Sequence, residues 1–239
     1  MRNSRSKKIK ISAIIEARMG SKRLPGKVLM NILDKPVLQH IYERLSKSIY
    51  IDQIIIATTD QSEDLQIIEY AKKNHISFYS GYENDLIGRV YECAITYESD
   101  VIVEICGDCP LIDYRFVDNC ITKYLNSKYD IVTNVLSRTF PNGLETNIFS
   151  TQLLSLVNKK KLSQKYREHL CSYILDNPKL FKIKSISAER KYCYPDIKLT
   201  LDTNEDYNFI KNIFETLYSK KKMIMTEDVI NYVNKKMKK

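Results

Sequence analysis

Two groups of residues in this chain have the types and spacing to do chemistry. The first is a set of cations among glycines: Arg18, Lys22, Arg23 and Lys27, with Gly20, Ser21 and Gly26 between them. Glycine lets the backbone approach a ligand closely, and its N–H groups can line an anion-binding concavity. Four clustered positive charges match a polyanion, and a triphosphate is the obvious one. The glycine spacing fits neither G-x-x-x-x-G-K-[ST] nor G-x-G-x-x-G, and a solvated basic loop is the plain alternative. The second group is the turn Cys106-Gly107-Asp108-Cys109-Pro110, which carries a carboxylate between glycine and proline. Such an aspartate can bind a hard cation through oxygen. It can also simply shape the loop as an Asx turn.

Both groups need elements to position them. Ile11 to Ile15, with Ala17, is an apolar, β-branched run that predicts a buried strand running straight into the cationic loop. Pro36 opens a helix reaching about Ser48, with Val37, Leu38, Ile41 and Leu45 on one face. Ile54 to Ala57 is a second buried strand ending in Thr58-Thr59-Asp60. Ser62 is expected to cap a helix that turns Leu65, Ile68 and Ala71 inward. Ile76 to Tyr79 is a third strand, followed by a helix from about Asn84 to Tyr97. Val101 to Ile105 is a fourth, running into the Asp108 turn, and Asp113 caps the helix Tyr114 to Leu125. Asp130 to Val135 and Lys179 to Ile186 read as strands, and Gln164 to Asp176 as one helix. Thr203 to Asp206 reads as a capping box, so Asp202 closes the strand before it. This alternation gives a mainly parallel, Rossmann-like α/β sheet with helices on both faces. Ligands of such sheets bind beyond the carboxyl ends of the strands. Asp108 and Asp202 are therefore expected in one crevice, and neither has an obvious basic neighbour in sequence.

Composition bounds the function. The 239 residues, 44% hydrophobic and 28% charged, suit one α/β domain with a sizeable core. No apolar run reaches the length of a membrane span. Residues 1–10 are basic but lack the apolar centre of a signal peptide, so cytoplasmic residence and no membrane partner are expected. The net charge of +9 raises nucleic acid as a partner. No binding motif accompanies it, and the lysines at 220–222 and 235–239 read as solvated, so no nucleic-acid partner is expected. The six cysteines show no disulfide spacing. Cys106 and Cys109 form a C-x-x-C, but no second pair or histidine lies nearby to complete a zinc site.

The stretch Ala17-Arg18-Met19-Gly20-Ser21-Lys22-Arg23-Leu24-Pro25-Gly26-Lys27 resembles the signature of the sugar-acid cytidylyltransferases. Within them it is most similar to the spore coat polysaccharide biosynthesis protein F-like branch. The resemblance recurs along the chain. Asp85, Leu86 and Arg89 resemble the D-x-L-x-R element, Gly107-Asp108-Cys109-Pro110 the G-D-x-P loop, and Arg167-Glu168-His169 the R-E-H triple. Gly143 to Ser150 resembles G-L-D-x-E-V-F-S, with Glu145 standing for Asp and Asn147 for Glu. Leu199 to Tyr207 resembles L-T-V-D-T-P-E-D-L, and the resemblance stops near Leu217.

The resemblance implies the nucleotide-diphospho-sugar transferase fold in one nucleotidyltransferase domain over 1–239. It adds a small β-excursion at about 138–195 for the substrate pocket and dimerisation. It implies transfer of CMP from CTP to a sugar acid of 3-deoxy-octulosonate or nonulosonate type, with release of diphosphate. The setting would be surface polysaccharide biosynthesis, with magnesium as cofactor and a homodimer as the assembly. Ala17, Arg18, Met19, Gly20, Ser21, Arg23, Lys27, Thr58 and Arg89 would bind the nucleotide. Lys27, Arg18 and Asp108 would be catalytic, Asp108 and Asp202 would hold the metal, and Glu145 and His169 would meet the acceptor. Arg89 also reads as a surface residue one turn from Asp85, and His169 as a core residue. Rival readings are another acceptor such as a phosphonate, a nucleotide-sugar glycosyltransferase of the same fold, and a non-enzymatic nucleotide-binding protein. Gly-Asp-Cys-Pro lacks the D-x-D usual in such glycosyltransferases.

Overall fold

Ile11–Glu16 folds as strand β1 at the centre of a seven-stranded sheet in the computed structural model, which describes residues 8–218 and 223–237. Residues 1–7, the lysines at 220–222 and the last two lysines of the basic tail lie outside the described residues. After β1 come β2 (Asn31–Ile32), β3 (Lys35–Pro36), α1 (Val37–Leu45), β4 (Gln53–Thr59), α2 (Leu65–Lys73) and β5 (Ser77–Gly81). Then follow α3 (Leu86–Thr96), β6 (Val101–Cys106), α4 (Tyr114–Leu125), β7 (Ile131–Thr133) and β8 (Asn147–Ser150). The chain continues through α5 (Thr151–Asn158), α6 (Gln164–Arg167), α7 (Ser172–Leu175), β9 (Ile183–Ser185), α8 (Asn204–Leu217) and α9 (Thr226–Met237).

The sheet order is β5-β4-β1-β6-β8-β7-β9. The strands β5, β4, β1 and β6 are mutually parallel, and β8 runs antiparallel to both β6 and β7. β7 and β9 pair in parallel, and β2 and β3 form a separate antiparallel pair. The long apolar runs have a direct cause: both faces of the sheet are covered, so neither alternate set of side chains meets water. Ala13, Ile15 and Val103 pack on one face against Leu38, Ile41, Val117 and Ile213 from α1, α4 and α8. Ile14, Ile55 and Ile102 pack on the other against Ile87, Val90 and Leu154 from α3 and α5. Each such fully buried Val, Leu or Ile side chain contributes roughly 1.5–3 kcal/mol of transfer free energy. Among the described residues, no helix is long and apolar enough to cross a membrane.

Several local expectations are corrected. Ser62 does not cap α2: a single 3-10 turn, Ser62–Asp64, precedes the helix, and Asp64 holds the cap position. Leu65 is exposed, and Ile67 with Ala71 makes the inward face of α2. The helix expected over 164–176 is broken into α6 and α7. The break falls between Glu168 and Cys171, where Leu170 and Cys171 are buried and His169 stays exposed at the cleft. Residues 198–202 make only one isolated bridge, Asn142 to Lys198, so Asp202 does not end a paired strand. The segment at 138–195 adds β8 and β9 to the main sheet and carries α5 to α7.

The register aligns Glu16 with Ala57 and with Cys106. The carboxyl ends of β1, β4 and β6 therefore share one edge, where the cationic loop and the Asp108 turn both emerge.

Candidate functional site

The cationic loop is held by its backbone, which leaves its side chains available. The Ala17 N–H still donates to the Ala57 carbonyl at 3.2 Å, and then the chain leaves the sheet. Asp64, buried at the start of α2, accepts from the Met19 N–H at 2.5 Å and from the Thr59 hydroxyl. The Met19 carbonyl in turn takes the Ser21 and Gly26 N–H groups at 2.8 and 2.9 Å. Gly26 sits at φ 71°, a left-handed conformation that costs glycine little. Arg18, Ser21, Lys22, Arg23 and Lys27 then line a cleft of about 540 Å³. Gly20 and Met19 shape the loop behind them. Thr58, by contrast, is fully buried in β4 and is absent from the cleft lining.

Across the cleft the Asp108 turn meets Asp202. Gly107 is packed so closely on β1 that a Cβ there would lie 2.5 Å from the Glu16 carbonyl oxygen. The Leu201 N–H donates to the Asp108 carbonyl at 2.9 Å, which brings Asp202 beside Asp108. Contrary to the sequence expectation, both carboxylates have cationic neighbours. Lys27 Nζ lies 2.5 Å from Asp108 Oδ2 and 3.3 Å from Asp202 Oδ1. Arg23 Nη2 lies 3.0 Å, and Lys198 Nζ 3.2 Å, from the Asp202 carboxylate. Burial works to raise the Asp202 carboxyl, but Lys27 and Lys198 outweigh it and hold it below the usual range. The capping box of α8 belongs to Thr203 and Asp206, so the Asp202 side chain is not spent on the cap.

The donor set suits a hard divalent cation. Two carboxylates converge on one point, and among the described residues no cluster of three or more His, Cys, Asp or Glu could complete a protein cage. Magnesium favours one or two carboxylates completed by substrate oxygens and waters.

The opposite wall is built by α3 and the break between α6 and α7. Asp85 caps α3 by accepting from the Gly88 N–H at 2.9 Å, and it pairs with Arg167. Arg167 is thus a structural tie, while Glu168 and His169 face the cleft. Arg89 lines the cleft but is only 6% exposed. Its Nη1 donates to the Tyr82 and Glu83 carbonyls at 3.0 and 3.1 Å, and its Nε has no partner. Glu145 folds back to accept from the Gly143 N–H at 2.6 Å. Burial raises its carboxyl, and the Asp108 charge adds to that.

The floor holds a carboxyl pair that the sequence did not single out. Glu16 and Glu104 emerge on the same face of adjacent strands. Burial pushes Glu16 well above the usual carboxylate range, and the neighbouring Glu104 pushes it further. Burial also raises Glu104, against hydrogen bonds from Cys171 and Asn147, each at 2.8 Å. Glu16 Oε1 is buried without a hydrogen-bond partner, which disfavours a charge there as burial does. Asn147, where the resemblance has a glutamate, therefore faces an acid and supplies it with an N–H. Only the pairing of β1 with β6 and of β6 with β8 reveals this group.

The six cysteines are free thiols. Burial pushes the Cys109 thiol well up, and the Asp108 charge reinforces this. Its Sγ donates to Asp108 Oδ1 at 3.4 Å, which fits a loop-shaping role.

The chain resembles known proteins along nearly its whole length. A family model described as cytidylyltransferase matches residues 12–234. The structure of a cytidylyltransferase from Leptospira borgpetersenii serovar Hardjo-bovis matches with a TM-score of 0.89 at 34% identity, covering 96% of both chains. An uncharacterized protein of Methanocaldococcus jannaschii is 36% identical over 199 residues, 83% of this chain and 81% of that one. The spore coat polysaccharide biosynthesis protein SpsF of Bacillus subtilis is 29% identical over 209 residues, 84% of this chain and 85% of that one.

Proposed function

The chain belongs to the cytidylyltransferase family, and from that premise we propose that it transfers CMP from CTP to a hydroxyl of a sugar acid and releases diphosphate. One observation carries the reading. A loop of cations faces a pair of converging aspartates across one cleft, at the carboxyl ends of parallel strands.

In-line phosphoryl transfer needs positioning and charge stabilisation more than covalent help. Arg18, Ser21 and Arg23, with the loop amides, hold the β- and γ-phosphates, and Lys27 neutralises charge on the departing diphosphate. Asp108 and Asp202 would hold magnesium, which supplies charge neutralisation at the phosphate oxygens. Arg89 and His169 line the far wall, where the base and the acceptor must both fit. An acid acceptor would turn its carboxylate toward Arg89 and His169. Glu145 serves this acceptor side through the turn it braces. No side chain is assigned as general base.

A sugar-acid acceptor and a role in surface polysaccharide biosynthesis are supported by the recurrent motifs and by the name of the Bacillus relative. The reading includes cytoplasmic residence and a homodimer built through 138–195. Diphosphate release should be measured with CTP, ATP or GTP against a panel of 3-deoxy-octulosonate and nonulosonate acids. CTP-dependent release with one acid is the expected result. Release only with phosphonates or neutral sugars would move the acceptor assignment to the other members of the same chemistry.

A further inference from the structure

We propose that Lys27 occupies the metal position between Asp108 and Asp202 until CTP arrives, so that one ammonium couples cation binding to nucleotide binding. The inference rests on the reading of Asp108 and Asp202 as metal ligands and adds what regulates them.

The geometry is specific. Lys27 Nζ touches both carboxylates, at 2.5 and 3.3 Å, and its side chain is only 13% exposed. A divalent cation bridging the same oxygens must occupy the space the ammonium fills, and the two positive charges exclude one another. Lys198 and Arg23 also neutralise Asp202, but neither contacts Asp108. They flank the pair rather than sit inside it.

The loop provides the release. Lys27 follows the left-handed Gly26 and opens a short 3-10 turn, Lys27–Leu29. Its ammonium is a compact charge with rotatable donors on a flexible stem. A triphosphate gathered by Arg18, Ser21 and Arg23 offers it oxygens of greater charge within reach of the same stem. Drawing Lys27 onto the phosphates exposes both carboxylates to the cation. By linkage, any factor by which CTP raises metal affinity is the factor by which metal raises CTP affinity. The carboxylates are thus kept from binding stray cations while no nucleotide is present.

The test uses manganese(II) alone as the probe, without nucleotide, with binding followed by electron paramagnetic resonance of the free ion. The variants are Lys27→Met and Lys198→Met, with Lys27→Gln as a second form should Lys27→Met fold poorly by thermal melting. Removing Lys27 should tighten manganese binding by at least about tenfold, within the usual range of coupling between sites. Removing Lys198, which takes away an equal charge from outside the pair, should change it far less. Unchanged or weaker binding in the Lys27 variants overturns the proposal, and so does equal tightening in Lys198→Met. Adding Asp108→Asn to Lys27→Met should abolish the gain. A gain that survives Asp108→Asn would place the metal elsewhere and overturn the ligand assignment itself.

Discussion

The Leu201 N–H donates to the Asp108 carbonyl oxygen at 2.9 Å. This one backbone bond joins the turn after β6 to the segment before α8. It sets Asp202 against Asp108 although nearly a hundred residues separate them in sequence. The two side chains are then close enough for one ammonium to touch both.

That relationship makes both aspartates testable at once. Asp108→Asn and Asp202→Asn should each keep the fold, because Thr203 and Asp206, not Asp202, cap α8. Each should lose turnover by about 10²-fold or more, the scale for removing one preorganised electrostatic group. Steady-state rates beside thermal melts check this. Full turnover by Asp202→Asn would leave Asp108 as the only aspartate engaged.

Arg44 should matter for stability. It is 4% exposed, yet its Nε donates to the Ile112 carbonyl at 2.7 Å and its Nη2 to the Ile224 carbonyl at 2.5 Å. Burial pulls its guanidinium down to about 10, so it stays charged at neutral pH. It pins the segment after the Asp108 turn to the residues before α9. Arg44→Met should cost at least about 2 kcal/mol by denaturant unfolding, because buried carbonyls lose their donor. Arg44→Lys should not restore this, since an ammonium lacks the fork that spans both.

The Glu16–Glu104 pair should give stability a particular pH dependence. Both carboxyls are raised in the folded chain. Between the ordinary carboxylate value, about 4.3, and the raised one, the folded state holds more protons than the unfolded state. Their stabilising contribution is therefore full below the ordinary value and is lost as pH rises through the raised one. Glu16→Gln removes that ionisation and keeps an N–H for Glu104. Its melting temperature should match the wild type near pH 4 and exceed it near pH 8. Parallel curves for the two proteins would show that Glu16 is not raised in the folded chain.

The C-x-x-C should prove structural. Cys106→Ser with Cys109→Ser should purify without zinc and keep most of its turnover, because a serine hydroxyl can replace the Cys109 thiol as donor to Asp108. Stoichiometric zinc in the wild-type protein would contradict this assignment.

The sheet, its two covered faces and the loop of cations at its edge were legible in the sequence. Ile11 to Ile15 announces β1, because burial on both faces needs only a short local run of apolar residues. Arg18, Lys27 and Asp108 stand out because their neighbours are glycine and proline, whose backbone limits are also local. Tertiary structure decided the rest. Local preference made Ser62 the cap, but Asp64 is the residue buried under the loop. Periodicity carried a helix through 164–176, but the chain breaks between α6 and α7 and leaves His169 at the cleft. Thr58 ends a strand at the ligand edge, yet the side of the pleat it occupies is packed. Lys27 between two aspartates, and Glu16 against Glu104, follow from strand pairing and chain crossing over long separations. Such contacts form only once the whole fold has met the entropy of closing those loops, so no local run of residues encodes them.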